Sequence, residues 1–292
     1  MIDLHTHSRA SDGNLTPSDL IRTAKERGLT AIALTDHDTI DGLDEAREEA
    51  VRQGIELIPG IEFDIDYEPV TVSGEFHLLG LGLAAIGSGF REALAEIRRK
   101  REDRNLRLLE RIREELGINV EYGEVQAISG GGALGRPHFA TLLINRGIVK
   151  DQEQAFSRYL GKGRPLYINK EKLGFARALG MIRKAGGIPV LAHPLSLYIA
   201  WGRLPDFIAD LAAQGLAGIE AWHPTAKVQS CKRLEELGRS LGLYITAGSD
   251  FHGNSRPDRK LGFTAGDRPI GENFLDAIPP LAQQRKNAII QE

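Results

Sequence analysis

The first 61 residues, MIDLHTHSRASDGNLTPSDLIRTAKERGLTAIALTDHDTIDGLDEAREEAVRQGIELIPGI, alternate between short apolar runs and helical patterns. The apolar runs have the length of buried strands, and they cover Ile2–Leu4, Thr30–Leu34 and Ile55–Ile61. A helix start is indicated where Thr16, a good N-cap residue, precedes Pro17. A second helix is predicted over Leu43–Gln53, ending at Gly54. This order of strands and helices is typical of parallel strands in an α/β sheet or barrel.

The same alternation returns in the second half of the chain, after a stretch with helical patterns alone. Strands are predicted at Ile188–Ala192, Ala217–Ala221 and Leu243–Ala247, and helices at Gly174–Ala185, Leu204–Gln214 and Ala226–Leu241. Between Glu68 and Leu83, polar and apolar residues alternate around Ser73, which predicts an antiparallel hairpin. We therefore predict a main α/β domain formed by residues 1–99 and 166–292, with a helical insertion at residues 100–165.

The composition is that of an ordinary globular protein of 292 residues, with 41% hydrophobic and 26% charged residues. The 37 basic and 40 acidic side chains leave a net charge of −3, which argues against binding long nucleic acid through a basic surface. Cys231 is the single cysteine, so an internal disulfide and a cysteine-type zinc site are excluded. Because neither a signal-peptide pattern nor a membrane-length apolar run is found, we expect a soluble, cytoplasmic protein without a membrane partner. The oligomeric state stays open.

Seven of the eight histidines lie on or just after an apolar run. They are His5, His7, His37, His77, His193, His223 and His252. In an α/β barrel the loops that follow the strands meet at one rim, where catalytic groups collect. Three carboxylates share these positions, namely Asp12, Glu62 and Asp250. Imidazole and carboxylate ligands suit Mn²⁺, Zn²⁺ or Fe²⁺, so the pattern predicts a divalent-metal site.

Several ordered segments carry a resemblance to a known superfamily. They are Asp3–Ser8 (DLHTHS), Ser11–Gly13 (SDG), Ala33–Asp38 (ALTDHD), Pro59–Glu62 (PGIE), His77, Ala192–Pro194 (AHP) and Gly248–His252 (GSDFH). In these segments the chain resembles the PHP (polymerase and histidinol phosphatase) superfamily of metal-dependent phosphoesterases. The resemblance implies an α/β fold, a distorted (β/α)7 barrel of TIM-like type, and we expect the helical insertion to cap its C-terminal rim. It also implies two or three divalent ions at the strand ends.

The same resemblance implies a set of ligands for each ion. The first ion would be held by His5, His7, Glu62 and Asp250. Glu62 would bridge to a second ion, which His77 and His193 would also hold, and a third ion would be held by Asp12, His37 and His252. Manganese is the expected metal, with zinc or iron as alternatives. Asp36 would orient ligands rather than bind metal.

Two further segments narrow the resemblance: Gly135–His138 (GRPH) in the insertion and Trp222–Thr225 (WHPT) after a late strand. They are similar to segments of the 3′,5′-nucleoside bisphosphate phosphatases and of related 5′-exoribonucleases that act on short RNA. The candidate catalytic residues are accordingly His223, Asp250 and His252. The candidate substrate contacts are Asp12, His37, Arg136, His138, Arg164 and His223. Arg136 would bind a second phosphate through bidentate hydrogen bonds, the alternative being an arginine that caps carbonyls or is solvated at a helix end.

Three functions are compatible with these patterns. The first is hydrolysis of a small nucleotide, 3′,5′-nucleoside bisphosphate to 5′-monophosphate, in which two neighbouring ions would supply a bridging hydroxide. The second is the same chemistry on short RNA, or on another phosphomonoester such as histidinol phosphate. The third is a non-catalytic, metal-stabilised binding module. A non-catalytic module is expected to lack some of the metal ligands. In this chain every expected ligand position carries a side chain that can bind metal.

Overall fold

The computed structural model describes residues 1–67, 74–129, 134–169 and 171–283. Its first elements are β1 (Ile2–Thr6), α1 (Pro17–Glu26), β2 (Ala31–Leu34), α2 (Leu43–Gln53), β3 (Glu56–Asp66) and β4 (His77–Leu81). A helical part follows, with α3 (Ser88–Leu116), α4 (Tyr122–Ser129), α5 (Arg136–Asn145) and α6 (Gln152–Ala155), which continues as a π-helix over Phe156–Leu160. The last elements are β5 (Leu173–Gly174), α7 (Phe175–Lys184), β6 (Ile188–Leu191), α8 (Leu204–Ala213), β7 (Gly218–Trp222), α9 (Val228–Ser240), β8 (Tyr244–Ala247), β9 (Phe263–Thr264), β10 (Arg268–Pro269) and α10 (Asn273–Asp276).

The main sheet has the strand order β1-β2-β3-β4-β6-β7-β8, and β5 pairs with the end of β3. Neighbouring strands are parallel except at β4, which is antiparallel to both β3 and β6. The sheet curls so that its two edges meet: Thr6 forms a parallel bridge with Phe251, just after β8, and His7 N donates to the Phe251 carbonyl at 2.9 Å. The predicted α/β fold with a distorted TIM-like barrel is confirmed.

Local sequence signals define the helices that flank these strands. At the start of α1 the Thr16 hydroxyl accepts a hydrogen bond from Asp19 N at 3.0 Å. Pro17 occupies the first turn of this helix, where its missing N–H leaves no hydrogen bond unmade. The α2 helix ends at Gly54, whose φ of +59° lies in the left-handed region that favours glycine. Both helices lie where the sequence predicts them because these signals act within a single turn.

The antiparallel direction of β4 brings a histidine to the carboxyl edge of the parallel strands. In the pairing of β3 with β4, Gly60 lies opposite Leu81 and Asp64 lies opposite His77. His77 begins β4 and therefore lies beside the carboxyl half of β3, which contains Glu62. The antiparallel pairing predicted for this region is present, while residues 68–73, around which the hairpin turn is predicted, lie outside the described residues.

The chain divides into two compact units, Met1–Arg91 with Leu173–Glu292 and Glu92–Lys172. The first unit contains the curled sheet. The second is helical and has its own apolar core. The buried side chains of this core include Leu108, Ile112, Phe139 and Leu143. Over the described ranges, no helix has both the length and the apolar character needed to cross a membrane.

Candidate metal centre

Polar residues from most strands of the curled sheet lie together at its carboxyl edge. They are His5 and His7 at the end of β1, His37 after β2, Glu62 in β3, His77 at the start of β4, His193 after β6, and Asp250 and His252 after β8. All of these side chains belong to the first compact unit. Because neighbouring parallel strands end at one edge, residues that are distant in sequence become neighbours here.

The Glu62 carboxylate lies at the middle of this cluster and is fully buried. Its Oε2 atom lies 3.1 to 3.3 Å from ring nitrogens of His5, His7 and His37. Its Oε1 atom lies 3.0 Å from His77 Nδ1 and 3.1 Å from His193 Nε2. The two oxygens thus face two different groups of imidazoles, which is the arrangement that a carboxylate bridging two cations requires.

Asp250 is the second buried carboxylate of the cluster. Its Oδ1 atom lies 3.5 Å from His5 Nε2 and 3.2 Å from His7 Nε2. Its Oδ2 atom lies 3.3 Å from His223 Nε2 and accepts a hydrogen bond from Arg259 Nη1. One oxygen therefore faces the imidazoles of His5 and His7, and the other is held by two donors.

Asp12 supplies a third carboxylate, and a third of its side chain is exposed. Its Oδ1 atom lies 3.3 Å from His252 Nε2, and its Oδ2 atom lies 3.9 Å from His37 Nε2. The His7 ring stacks on the rings of both histidines, with centroid distances of 4.6 Å to His37 and 4.2 Å to His252. Asp12 therefore forms a second group of possible ligands with His7, His37 and His252, next to the group around Glu62.

These side chains form four overlapping groups in which the possible ligand atoms lie within 4.8 Å of one another. The groups are His7, Asp12, His37 and His252; His5, His7 and Asp250; His5, Glu62 and His193; and His37, Glu62 and His77. All nine residues predicted as ligands from the sequence are thus brought together. The groups share His5, His7, His37 and Glu62, so the candidate ligand atoms form one continuous cluster.

The geometry of the cluster suits divalent metal ions. Among the described residues, Glu62 Oε2 and His7 Nδ1 are buried and have no hydrogen-bond partner. The Nε2 atoms of His5 and His7 lie 3.1 Å apart. Two nitrogens that bind one ion at about 2.1 Å each would be separated by roughly 3 to 3.4 Å. A metal ion bound by both nitrogens would take the place of a proton held between them in the metal-free protein.

The electrostatics of the cluster also favour added positive charge. Burial acts to raise the pKa of Glu62, but the imidazoles of His37, His5 and His77 outweigh it and hold the pKa well below its usual range. Burial acts to lower the pKa of His7, but the neighbouring carboxylates of Asp250 and Glu62 outweigh it and raise the pKa to about 10. The buried carboxylates thus attract protons to neighbouring imidazoles in the metal-free protein, and a divalent ion would compete for the same ligand atoms.

Asp36 holds the loop that follows β1. It accepts hydrogen bonds from Ser8 N at 2.7 Å, from Ser8 Oγ at 2.7 Å and from Ser11 Oγ at 2.6 Å. This loop carries His7 at one end and Asp12 at the other. Asp36 belongs to none of the four possible ligand groups found among the described residues, in line with the orienting role expected from the sequence.

His223 directly follows β7, and its Nε2 atom faces the cluster at Asp250. Its Nδ1 atom accepts a hydrogen bond from Thr225 N at 3.3 Å and lies 2.8 Å from Thr225 Oγ1. This leaves the proton on Nε2, which donates to Asp250 Oδ2 at 3.3 Å. His223 thus presents an N–H group at the edge of the candidate metal centre.

The remaining candidate substrate contacts lie in the second compact unit. Arg136 begins α5, donates from Nη1 to the Leu160 carbonyl at 3.5 Å, and has its guanidinium 5.5 Å from the centroid of the Tyr167 ring. His138 Nδ1 accepts a hydrogen bond from Gly135 N at 3.0 Å. Arg164 lies in an exposed turn after the π-helix. Their role as phosphate contacts stays a prediction.

The sequence patterns did not identify two charged residues of the first unit that contact the cluster. Glu220, in β7, lies 3.0 Å from His5 Nδ1 and is 1% exposed. Its signal was available, since an acid inside the apolar run Ala217–Ala221 is unusual unless it is paired. Arg259 contacts Asp250 from an irregular loop, where no sequence pattern indicates the path of the chain.

Comparison with known proteins assigns the class of this molecule. Residues 3–164, more than half of the chain, match the model of the PHP domain family. The chain therefore belongs to the PHP domain family and is a phosphoesterase, a hydrolase of phosphate esters. The resemblance derived from the sequence is confirmed, and the use of a divalent metal agrees with this family and with the ligand groups above.

Individual relatives match this chain over nearly its whole length. A 3′,5′-nucleoside bisphosphate phosphatase of Chromobacterium violaceum is 34% identical over 277 residues, covering 92% of this chain and 93% of that protein. A 5′-3′ exoribonuclease of Haemophilus influenzae is 34% identical over 281 residues, covering 96% of this chain and 97% of that protein. A solved structure from Bifidobacterium adolescentis, assigned to the metal-dependent phosphoesterases, has a TM-score of 0.80 at 27% identity and covers 96% of both chains.

Proposed function

We propose that this chain removes the 3′-phosphate from a nucleoside 3′,5′-bisphosphate and leaves the nucleoside 5′-monophosphate. The observation that carries the proposal is Glu62, whose two oxygens face separate groups of imidazoles as a two-metal phosphoesterase requires. The choice of substrate is supported by the bisphosphate phosphatase that is 34% identical over 92% of this chain. Water adds to the phosphorus, the bond to the ribose 3′-oxygen breaks, and that oxygen takes up a proton.

The ligands of the proposed ions follow the three sets expected from the sequence. His5, His7, Glu62 and Asp250 would hold the first ion, Glu62, His77 and His193 the second, and Asp12, His37 and His252 the third. When bound, such ions lower the pKa of water and neutralise the phosphoryl oxygens. We propose Mn²⁺ as the metal, because imidazole and carboxylate ligands without a thiolate suit it.

The protein's own donors would orient the substrate around these ions. His223 carries its proton on Nε2, so this atom can donate to a phosphoryl oxygen or to the leaving 3′-oxygen. Asp250 lies 3.3 Å from His223 Nε2 and 3.4 Å from His252 Nδ1, and we propose that these three residues position the same phosphate. Arg136, together with His138 and Arg164, is proposed to contact the substrate, with Arg136 binding the 5′-phosphate.

Hydrolysis of short RNA from its 5′ end is the second candidate. The 34% identity to the 5′-3′ exoribonuclease, over 96% of this chain, supports it as strongly as the first candidate is supported. Both reactions use the same metal centre and differ in whether a phosphomonoester or a phosphodiester is cut. The net charge of −3 favours a small or short substrate over long nucleic acid.

A substrate panel distinguishes the candidates. Protein reconstituted with Mn²⁺ is assayed for phosphate release from adenosine 3′,5′-bisphosphate, 3′-AMP, 5′-AMP and histidinol phosphate, and for nucleotide release from a 5′-phosphorylated RNA trimer. The proposal predicts the highest kcat/KM on the bisphosphate, with 5′-AMP as the product. A higher kcat/KM on the trimer would favour the exoribonuclease, and a preference for histidinol phosphate would contradict both candidates.

A further inference from the structure

We infer that Glu220 is a positioning residue of the metal centre, which fixes the ring of His5 and the backbone of His193 so that both present Nε2 to the Glu62 carboxylate, the proposed bridge between the first and second ions. The inference deepens the proposed function, because it rests on the metal site proposed there. Glu220 lies in the middle of β7 and is 1% exposed. Its Oε1 atom lies 3.0 Å from His5 Nδ1, and its Oε2 atom accepts a hydrogen bond from His193 N at 2.8 Å.

The contact with Glu220 decides which nitrogen of His5 is free to bind metal. An ionised carboxylate only accepts hydrogen bonds, so His5 Nδ1 carries the proton that is shared with Glu220. His5 Nε2 then carries the lone pair, and it points at Glu62 Oε2 and Asp250 Oδ1, which lie 3.3 and 3.5 Å away. A carboxylate behind a ligand histidine fixes its tautomer and its ring orientation.

The second contact of Glu220 holds an unusual stretch of backbone. His193 has a φ of +27°, in a region that residues other than glycine rarely adopt. Its backbone N–H is fixed by Glu220 Oε2, and its ring nitrogen Nδ1 lies 2.6 Å from Ser196 Oγ. Its other ring nitrogen then faces Glu62 at 3.1 Å. Glu220 therefore holds two of the three residues in the group of His5, Glu62 and His193.

The backbone at Gly248 packs tightly against the pair formed by His5 and Glu220, which supports the inference independently. It follows β8, and a Cβ atom at this position would lie 2.3 Å from His5 Cβ and 2.5 Å from Glu220 Oε1. Both contacts are shorter than side chains tolerate, so only glycine lets the chain pass over the pair. Three strands, β1, β7 and β8, thus meet around one histidine–carboxylate contact.

The test compares Glu220→Gln with Glu235→Gln by direct titration of the metal-free full chain with Mn²⁺. Glutamine offers one acceptor oxygen for the two donors that Glu220 serves. Glu235 is a matched control, because it accepts a hydrogen bond from Trp222 Nε1 at 2.6 Å in the same unit and touches no proposed ligand. We expect Glu220→Gln to bind Mn²⁺ about 10- to 100-fold more weakly, and the control to bind it as the native protein does.

Two readouts separate positioning from a merely structural role. Imidazole ¹⁵N spectra of the Zn²⁺-loaded protein should show the proton of His5 on Nδ1 in the native chain and a changed His5 signal in Glu220→Gln. Excess Mn²⁺ should restore most of the phosphate release, since every ligand remains. If Glu220→Gln is poorly folded, Gly248→Ala takes its place in the same Mn²⁺ titration, because the added Cβ crowds the His5–Glu220 pair without removing the charge. Gly248→Ala should then bind Mn²⁺ more weakly than the native protein. Gly180→Ala, whose added Cβ would meet open space, is the control and should bind Mn²⁺ as the native protein does.

Native Mn²⁺ affinity together with an unchanged His5 signal would overturn the inference. The titration and the spectra need no substrate, so they are independent of the substrate proposal. Weaker metal binding in Glu220→Gln combined with no activity of the native protein on the bisphosphate would uphold the inference while contradicting the proposed substrate.

Discussion

Glu62 is a buried carboxylate that requires positive charge beside it. A fully buried carboxylate without a partner would cost several kcal/mol, so the protein must supply positive charge or donors around it. The five ring nitrogens within 3.3 Å of its oxygens can supply that charge only when their histidines are protonated. Bound metal would replace those protons and leave every imidazole as a ligand. Removing the charge of Glu62 should therefore weaken metal binding more than it changes the folded structure.

Glu62→Gln tests the bridging role. The substitution keeps the size of the side chain but removes the charge that allows one carboxylate to bind two ions. We expect phosphate release to fall by orders of magnitude and elemental analysis to show loss of bound metal. Glu56→Gln, at the other end of β3, should keep both. A Glu62→Gln protein with native metal content and native turnover would exclude the bridging role.

Asp12→Ala tests the third ion. Asp12 is the most exposed of the candidate carboxylate ligands, and it belongs to one group of possible ligands, with His7, His37 and His252. Its loss should reduce the metal content by up to one ion per chain, because the other two sites keep their ligands. Excess Mn²⁺ should partly restore turnover, since the remaining imidazoles still bind weakly. If the metal content stays native and excess Mn²⁺ changes nothing, Asp12 serves the substrate directly.

At the scale of elements, the parts of the site that local signals determine could be predicted. Most of the parallel strands were visible as apolar runs followed by polar residues, so Glu62, His5 and His7 could be assigned to one edge, although β3 continues past the predicted end at Ile61 to Asp66. The contact between His5 and Glu220 could not be assigned, because it depends on which face of β7 points inward and joins residues 215 positions apart. The contact of Arg259 with Asp250 depends on the path of an irregular loop, which carries no periodic pattern.

The N-terminus of α5 allows a prediction about the second phosphate. Arg136 begins this helix after Gly135, and a helix N-terminus also favours an anion. Arg136→Ala should lower kcat/KM on adenosine 3′,5′-bisphosphate by roughly 10- to 150-fold, as expected for the loss of a charge-assisted hydrogen bond worth about 1.5 to 3 kcal/mol. It should leave kcat/KM on a simple phosphomonoester almost unchanged.

Arg146→Ala is the control for this substitution, because Arg146 caps the other end of α5 and pairs with Glu124 at 2.5 Å. It should behave as the native protein on both substrates. An equal loss on both substrates in Arg136→Ala would place Arg136 at the scissile phosphate or in the fold. No loss on either substrate would exclude it from substrate binding.

At the scale of the whole molecule, metal chemistry and the helical unit are separate in the chain. All nine candidate ligands belong to the unit formed by Met1–Arg91 and Leu173–Glu292, and the unit Glu92–Lys172 has an apolar core of its own. Ligands drawn from β1, β3, β4 and the segments after β1, β2, β6 and β8 would be joined by the ions. Metal binding should therefore stabilise the first unit by linking its strands.

Hydrogen–deuterium exchange with and without chelator measures where that stabilisation acts. Metal at 100 times its Kd stabilises the state that binds it by about 2.7 kcal/mol, which corresponds to roughly 100-fold slower exchange through the openings that release it. We expect this protection in peptides from β1, β3 and β8, and no change in peptides from the core of the second unit, such as those containing Phe139 and Leu143 in α5. The Glu62→Gln variant should exchange at the rates of the native protein in chelator, whether or not metal is added. Equal protection of both units by metal would contradict a metal role confined to the curled sheet.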